Sequence, residues 1–204
     1  MNLHQILLRT GLGIALLLGA SQASAAPVTL RLLPAVQNAI PSQTVNLALT
    51  INGLGDHAAP SLSGFDINLS FDSSILTFTG HTLGSLLGAV DDVEASDLSL
   101  GASGNTINLA ELSYLLPTEL ATLQPSEFTF ATLSFRVDNL PQFKQTFVFF
   151  ESIKVLSDEN GEPLQIASLN GAQIGNPIPE PPAILLFGLG LALLIRNRRR
   201  DLVA

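Results

Sequence analysis

The chain has 204 residues, and it contains neither cysteine nor tryptophan, which excludes disulfide frameworks, thiolate catalysis and cysteine-based zinc sites. Its net charge is −8, and residues 26–176 alone carry four basic and 15 acidic side chains, a net charge near −11. This balance argues against nucleic acid as a partner, because phosphate contacts require clustered cations, and it suits an extracellular protein or one that uses divalent cations.

Residues 1–25 have the pattern of a secretory signal peptide. Arg9 precedes an apolar segment from Leu12 to Ala20, and Ala23 and Ala25 supply the small residues of a cleavage site. Cleavage is therefore predicted after residue 25 or 26. The alternative is an N-terminal membrane anchor, which the glycines in and beside the apolar segment disfavour.

Residues 26–176 have the length of one domain, and their hydrophobic pattern predicts β-strands. Apolar residues alternate with polar ones from Val45 to Ile51 and from Phe65 to Phe71, which places the apolar side chains of each strand on one face. Further strands are predicted at Val28–Leu33, Ile75–Thr79, Ile107–Leu112, Phe128–Val137, Thr146–Val155 and Leu164–Ile174. Turn residues between the strands predict antiparallel pairing. The predicted fold class is therefore an all-β, antiparallel sandwich.

Three segments depart from simple alternation. Leu116–Leu123 follows a helical spacing that begins near a proline, and Thr82–Asn105 is predicted to be a long irregular loop. Phe147–Phe150 is apolar on both faces of its strand. Its outward side chains either form a binding face or lie beneath the short helix, and cover by the helix is the preferred reading.

Two segments of the domain resemble cohesin modules. Gly64–Leu76, with the sequence GFDINLSFDSSIL, is similar to the third and fourth strands of that family, and Phe130–Val137, FATLSFRV, is similar to a later strand. The resemblance implies a jelly-roll sandwich of about nine strands, akin to certain carbohydrate-binding modules. Ser73 stands where the family pattern has proline, and the chain contains no dockerin repeat, so dockerin binding is not carried over.

Four carboxylates between residues 91 and 97 form a candidate calcium site, composed of Asp91, Asp92, Glu94 and Asp97. They lack the spacing of a calcium loop, so a solvated acidic loop is the preferred reading and no cofactor is predicted. Asp72 is expected to accept backbone hydrogen bonds in an Asx turn, and Asp158–Glu162 is expected to be a hairpin turn rather than a metal loop.

The sequence offers no catalytic constellation. His57 and His81 are predicted to be exposed loop residues without a catalytic role, and no Gly-x-Ser-x-Gly motif is present. The protein is therefore expected not to be an enzyme. Asp66 and Asn68, on the polar side of one strand, and Tyr114, the single tyrosine, are the candidates for a binding face.

Residues 177–204 resemble the PEP-CTERM sorting signal of exported bacterial proteins. Pro179, Glu180 and Pro181 precede an apolar run from Ala183 to Ile195. The run ends in a cluster of arginines, Arg196, Arg198, Arg199 and Arg200. The resemblance implies recognition by an exosortase, a short transmembrane helix, and arginines that stay on the cytoplasmic side. The alternative is a buried core helix, which runs of this length often form.

The sequence therefore predicts an exported protein, held in the inner membrane until its tail is processed and then found at the cell surface or outside the cell. The predicted function is a binding or adhesion module associated with exopolysaccharide or extracellular matrix. The alternatives are a module that docks a protein through a cohesin-like sheet face and, less favoured, a hydrolase acting on polysaccharide.

Overall fold

Two β-sheets packed face to face make up the computed structural model, which describes residues 26–90 and 93–176. The strands are β1 (Val28–Leu33), β2 (Val36–Asn38), β3 (Thr44–Asn52), β4 (Leu62–Ser70), β5 (Leu76–Leu83), β6 (Ala95–Asp97), β7 (Gly101–Ser103), β8 (Thr106–Ser113), β9 (Glu127–Val137), β10 (Gln145–Asp158), β11 (Ile166–Asn170) and β12 (Ala172–Gly175). The described residues also include a helix, α1 (Pro117–Leu123), which precedes β9.

The first sheet has five strands in the order β11-β1-β3-β9-β5, and the second has seven, in the order β2-β12-β10-β4-β8-β6 with β7 also paired to β8. Pairing is antiparallel except for β1 with β11 and β2 with β12. Gly171 lies between β11 and β12, where the chain passes from one sheet to the other. A Cβ atom there would lie 2.6 Å from the carbonyl oxygen of Val148, which is too close for any residue other than glycine.

The core lies between the sheets and is built from the inward positions of the alternating strands. Phe65 on β4 and Phe130 on β9 meet edge to face across it, with ring centroids 4.7 Å apart. Phe135 on β9 contacts both Phe71 and Phe78, at centroid distances of 5.6 and 5.7 Å. The contacts of Phe65 with Phe130 and of Phe71 with Phe135 join the two sheets into the jelly-roll sandwich that the sequence predicts.

The strand predictions hold for the long strands and fail for the short ones. Val28–Leu33 is matched residue for residue, whereas Leu164–Ile174 divides into β11 and β12 at Gly171. The predicted loop Thr82–Asn105 is wrong in part, because it contains β6 and β7. Strands of three residues carry too little alternation to be recognised in sequence. Residues 26–90 and 93–176 therefore contain twelve strands instead of about nine.

Helix α1 is present as predicted and lies beside the start of β4. Gln124 follows it and is fully buried. Its Oε1 atom accepts a hydrogen bond from the amide of Leu62 at 2.6 Å, and its Nε2 atom donates to the carbonyls of Leu62 at 2.7 Å and Leu86 at 2.9 Å. One side chain thereby satisfies three buried backbone groups and ties α1 to the second sheet.

Every edge strand carries a feature that opposes further pairing. Strands β2 and β6 have three residues each, and β5 has a register shift between Phe78 and Gly80. Strand β11 has a register shift that leaves Ala167 without a partner on β1. Short and irregular edges are poor templates for pairing with another strand.

The predicted signal peptide, residues 1–25, and the predicted sorting segment, residues 177–204, lie outside the described residues. Within the ranges that are described, no helix has the length and apolar character needed to span a bilayer. The signal peptide, the Pro-Glu-Pro motif and the arginine cluster stay predictions.

The inward and outward phenylalanines should differ in their contribution to stability. Phe130 is fully buried, so Phe130→Ala leaves a cavity and should lower the free energy of unfolding by about 3–5 kcal/mol. Phe147 is 48% exposed, so the matched variant Phe147→Ala should cost less than about 1 kcal/mol. Urea unfolding measures both, and equal losses would contradict the assignment of the two faces.

Candidate functional site

The outer face of the second sheet is formed by the outward side chains of β10, β4 and β8, which stand in cross-strand rows. Val155, Asp66 and Ala110 form one row. Ser152, Asn68 and Asn108 form the next. Because side chains alternate along a strand, the residues between these positions on β4 and β8 point into the core. We call this surface the outer face.

The centre of the outer face is polar. The side-chain amide of Asn108 donates to Asp66 Oδ1 at 2.6 Å and to Asn68 Oδ1 at 2.9 Å. Lys154 Nζ lies 3.5 Å from the same oxygen of Asp66. The structure thus places the two predicted binding residues, Asp66 and Asn68, side by side and adds Asn108 and Lys154, which the sequence analysis did not select.

One end of the outer face is an apolar groove with a volume of about 350 Å³. Its floor includes Gly64 and Ala110. Its apolar walls are Leu98, Leu100, Leu112 and Val155. All four wall residues are exposed, and Leu100 is the most exposed at 84%. We call these six residues the apolar groove. Isolated exposed leucines are ordinary, whereas a contiguous group of this kind is a candidate interaction site.

Hydrogen bonds hold the Leu98–Leu100 segment against β8. The amide of Leu98 donates to the carbonyl of Ala110 at 2.8 Å, and the amide of Leu100 donates to Asn108 Oδ1 at 3.2 Å. The amide of Ser99 donates to Asp97 Oδ1 at 2.9 Å. The groove wall is therefore fixed by the same Asn108 that organises the polar centre, which makes the groove a preformed surface.

The other end of the outer face carries Phe147 and Phe149, which are 48% and 50% exposed. We call this pair the phenylalanine patch. The expectation that α1 covers it is wrong, because half of each ring surface is open and α1 is tied to the start of β4 through Gln124. A shallow groove of about 440 Å³ beside the patch is lined by polar groups that include Asp72 and Asn105.

Tyr114 lies just beyond the end of β8 and is 52% exposed. Its hydroxyl donates to the Oγ atom of Ser96 at 3.1 Å. Tyr114 is therefore next to β6, the strand that leads into the groove wall, and not among the outward rows of β4 and β8.

The candidate calcium residues do not converge in the described part of the chain. Asp91 and Asp92 lie outside it, and Glu94 Oε2 accepts a hydrogen bond from the amide of Ala89 at 2.8 Å. Asp97 Oδ2 pairs with His81 Nε2 at 3.0 Å. Among the residues that are described, no group of three or more histidines and carboxylates is placed to hold a metal ion.

The histidines and the turn carboxylates have defined partners. His81 lies on β5 rather than in a loop, with only 18% of its side chain exposed, so the expectation of an exposed loop residue is wrong. His57 lies in a loop as expected, with Nδ1 2.7 Å from the carbonyl oxygen of Thr122. Asp72 accepts hydrogen bonds from the hydroxyl and amide of Ser74, which lower its pKa and confirm the Asx turn.

The predicted turn at Asn160-Gly161 is present and is closed by one antiparallel bridge between Ser157 and Pro163. It is not a hairpin of two paired strands, because β10 and β11 lie in different sheets. Asp158 Oδ1 accepts hydrogen bonds from the amides of Asn160 at 2.8 Å and Glu162 at 2.9 Å. Gly161 has a φ of 81°, which favours glycine. The carboxylate of Asp158 is thus occupied by backbone donors.

Glu111 is the residue that the sequence analysis missed. It occupies an inward position on β8 and is 1% exposed, yet neither carboxylate oxygen has a hydrogen-bond partner in the described residues. Burial, followed by the negative charge of Asp97, raises the pKa of Glu111 to about 8. Partial burial opposes ionisation of Asp97, but hydrogen bonds from Ser99 and His81 outweigh it and hold its pKa below the usual value. The one sequence signal for Glu111 was a charged residue at an apolar phase of a strand.

The two sheets form an all-β sandwich, and comparisons with known proteins concern this fold. No protein-family model and no curated protein matches the sequence. Solved structures do match: a cohesin of Clostridium thermocellum, solved in complex with a dockerin, has a TM-score of 0.59 at 11% identity, covering 74% of this chain and 100% of that chain. The chain therefore has the cohesin fold.

Two further structures give the same result. The sixth cohesin of scaffoldin B from Acetivibrio cellulolyticus, solved in complex with a dockerin, has a TM-score of 0.60 at 14% identity, with 74% of this chain and 100% of that chain covered. A type II cohesin domain from the cellulosome of the same organism has a TM-score of 0.56 at 17% identity, with coverages of 72% and 94%. At these identities the likeness concerns the fold alone.

The buried carboxyl of Glu111 should make stability depend on pH. Its pKa is raised in the folded state from an ordinary value of 4.5 to about 8, so the folded protein binds the proton more tightly than the unfolded chain. The stability contribution is fully present below pH 4.5 and is lost as the pH rises to about 8, a change of roughly 3–5 kcal/mol. Thermal unfolding in chelator at pH 5, 7 and 9 should show this loss in the wild type.

The variant Glu111→Gln provides the comparison, because its side chain has nearly the same shape and does not titrate. The wild type loses stability from pH 5 to pH 9 and the variant does not titrate at this position. Any advantage of the wild type in free energy of unfolding at pH 5 should therefore shrink, or pass to the variant, by pH 9. An equal pH dependence of the two proteins would contradict the raised pKa.

Proposed function

We propose that this protein is an exported, non-enzymatic docking module that binds an extracellular protein through its outer face. The observation that carries the proposal is the preformed apolar groove, next to the hydrogen-bonded centre formed by Asp66, Asn68 and Asn108. Protein interfaces combine an apolar core with a polar surround in this way, and the four wall residues give the groove that core.

The comparisons supply the second support. The cohesins of Clostridium thermocellum and Acetivibrio cellulolyticus that share this fold were solved in complex with dockerins, which are protein partners. The irregular edge strands support a docking mode that uses a sheet face. Identities of 11% and 14% carry the fold and not the contact residues, so a dockerin is not inferred as the partner of this chain.

Glycan binding is the second candidate, and the phenylalanine patch is the observation in its favour. Two half-exposed rings beside the side chains of Asp72 and Asn105 offer flat apolar surface next to hydrogen-bonding groups. The groove has the stronger claim because it is more apolar and its walls are held by hydrogen bonds. Association with exopolysaccharide would therefore depend on the opposite end of the outer face.

Export and sorting belong to the same proposal. The segment before residue 26 has the charge, apolar run and small residues of a signal peptide, and the segment after residue 176 has the three-part order of a PEP-CTERM signal. An exosortase would act at Pro179–Pro181 and leave the sandwich at the cell surface or released.

Docking through the groove should be lost when the groove wall becomes polar. In pull-downs of the source organism's extracellular proteins, Leu100→Ser should reduce the retained partner at least about tenfold, because it removes the most exposed wall residue. The matched control is Leu169→Ser on β11, which makes the same change at a 43% exposed leucine of the other sheet and should retain the partner.

Equal retention by the wild type, Leu100→Ser and Leu169→Ser would contradict groove docking. Phe147→Ser separates the two candidates: recovery of polysaccharide by the wild type and its loss in Phe147→Ser, with Leu100→Ser unaffected, would favour the glycan reading instead.

Processing of the tail can be tested by intact mass. The released protein should begin at residue 26 or 27 and should lack the four arginines between 196 and 200. Changing Pro179, Glu180 and Pro181 to alanine should leave full-length protein in the membrane fraction. A released wild-type protein that still carries its arginine tail would refute the processing step.

A further inference from the structure

The buried carboxylate of Glu111 lies next to an acidic group on the neighbouring strand. In the β6–β8 ladder Asp97 is the direct cross-strand partner of Glu111, so both side chains project from the same side of the sheet. Among the described residues, Glu111 is the only ionisable side chain that is fully buried. Two carboxylates in register on a sheet repel each other, and nothing from the described part of the chain donates a hydrogen bond to Glu111.

In the described part of the chain, no lysine or arginine forms an ion pair with Glu111 or Asp97. Strand β4 faces Glu111 with Phe65. The titratable groups nearby are Asp97 itself and His81 on β5, which pairs with Asp97 Oδ2 at 3.0 Å. A buried carboxylate beside another carboxylate is costly when it is ionised, and either a proton or an ion that completes the site removes that cost.

From this juxtaposition we propose that Glu111 and Asp97 bind a divalent cation of the calcium type at the edge of the second sheet. Ca²⁺ takes six to eight oxygen ligands in flexible arrangements, and two carboxylates with backbone carbonyls and waters are sufficient donors. This site has fewer than three protein carboxylates and histidines as direct ligands, consistent with the lack of a larger cluster in the described residues. His81 would orient Asp97 from the second sphere.

The proposed site differs from the one suggested by the acidic segment between residues 91 and 97. Its anchor is Glu111, which is distant in sequence and is brought to Asp97 by strand pairing. Because Asp97 also accepts from the amide of Ser99, an ion at this position would stiffen the start of the groove wall. The cation site does not depend on the proposed docking function.

The test is calcium-dependent stability of the full chain, with CaCl₂ alone as the probe. Wild-type protein freed of metal with EDTA and dialysed should gain about 3–10 °C in Tm at ~10 mM CaCl₂, for a Kd of about 10⁻⁴–10⁻³ M. Glu111→Gln and Asp97→Asn should each abolish most of the gain. Asp56→Asn removes an exposed carboxylate elsewhere and should keep it. Calorimetric titration of CaCl₂ into the wild type should give the same Kd.

Each outcome decides the proposal. A Tm gain in the wild type and Asp56→Asn that is absent from both site variants supports it. An unchanged wild-type Tm together with a flat titration overturns it and leaves Glu111 as a protonated core residue. A gain that persists in Glu111→Gln also overturns it, because the ion would then be bound elsewhere. If Glu111→Gln fails to fold, Asp97→Asn replaces it: loss of the Tm gain in that variant supports the site, and a gain that persists overturns it.

Discussion

The alternation of β4 is the constraint on which the rest of this structure depends. Its inward residues, with Phe65 against Phe130, join the two sheets, while its outward residues Asp66 and Asn68 form the centre of the outer face. Because side-chain direction has a period of two, a slip of one residue would exchange the core for the surface. Core and outer face are therefore two sides of one strand and cannot be changed independently.

The flanking strands extend this division to both ends of the sheet. On β8 the outward Asn108 organises the polar centre and also accepts a hydrogen bond from the amide of Leu100. The groove wall therefore depends on a residue at the centre of the outer face. On β10 the outward Phe147 and Phe149 remain open at the other end. The second sheet and the Leu98–Leu100 connection held against it thus present two apolar areas and one polar area on the same face.

Among the described residues, Glu111 is the charged exception to the alternation. Its position on β8 belongs to the core, yet the side chain is a carboxyl without a hydrogen-bond partner in the described residues. Cores are built from apolar groups because an unpaired charge there destabilises the fold, and departures from that rule concentrate at functional sites. Because strand pairing sets Asp97 opposite Glu111, the two carboxyl groups together offer a candidate cation site that neither residue offers alone.

The sequence by itself determined the fold class, the long strands, the helix and the Asx turn at Asp72, because each depends on local spacing or local hydrogen bonding. It also selected Asp66 and Asn68, since both lie on the polar side of one strand. Only the tertiary structure decided that Leu98 and Leu100 meet Leu112 and Val155 in a groove. Likewise, it alone left the phenylalanine patch open and set Glu111 opposite Asp97. These features depend on strand pairing between residues far apart in sequence, which no local pattern encodes.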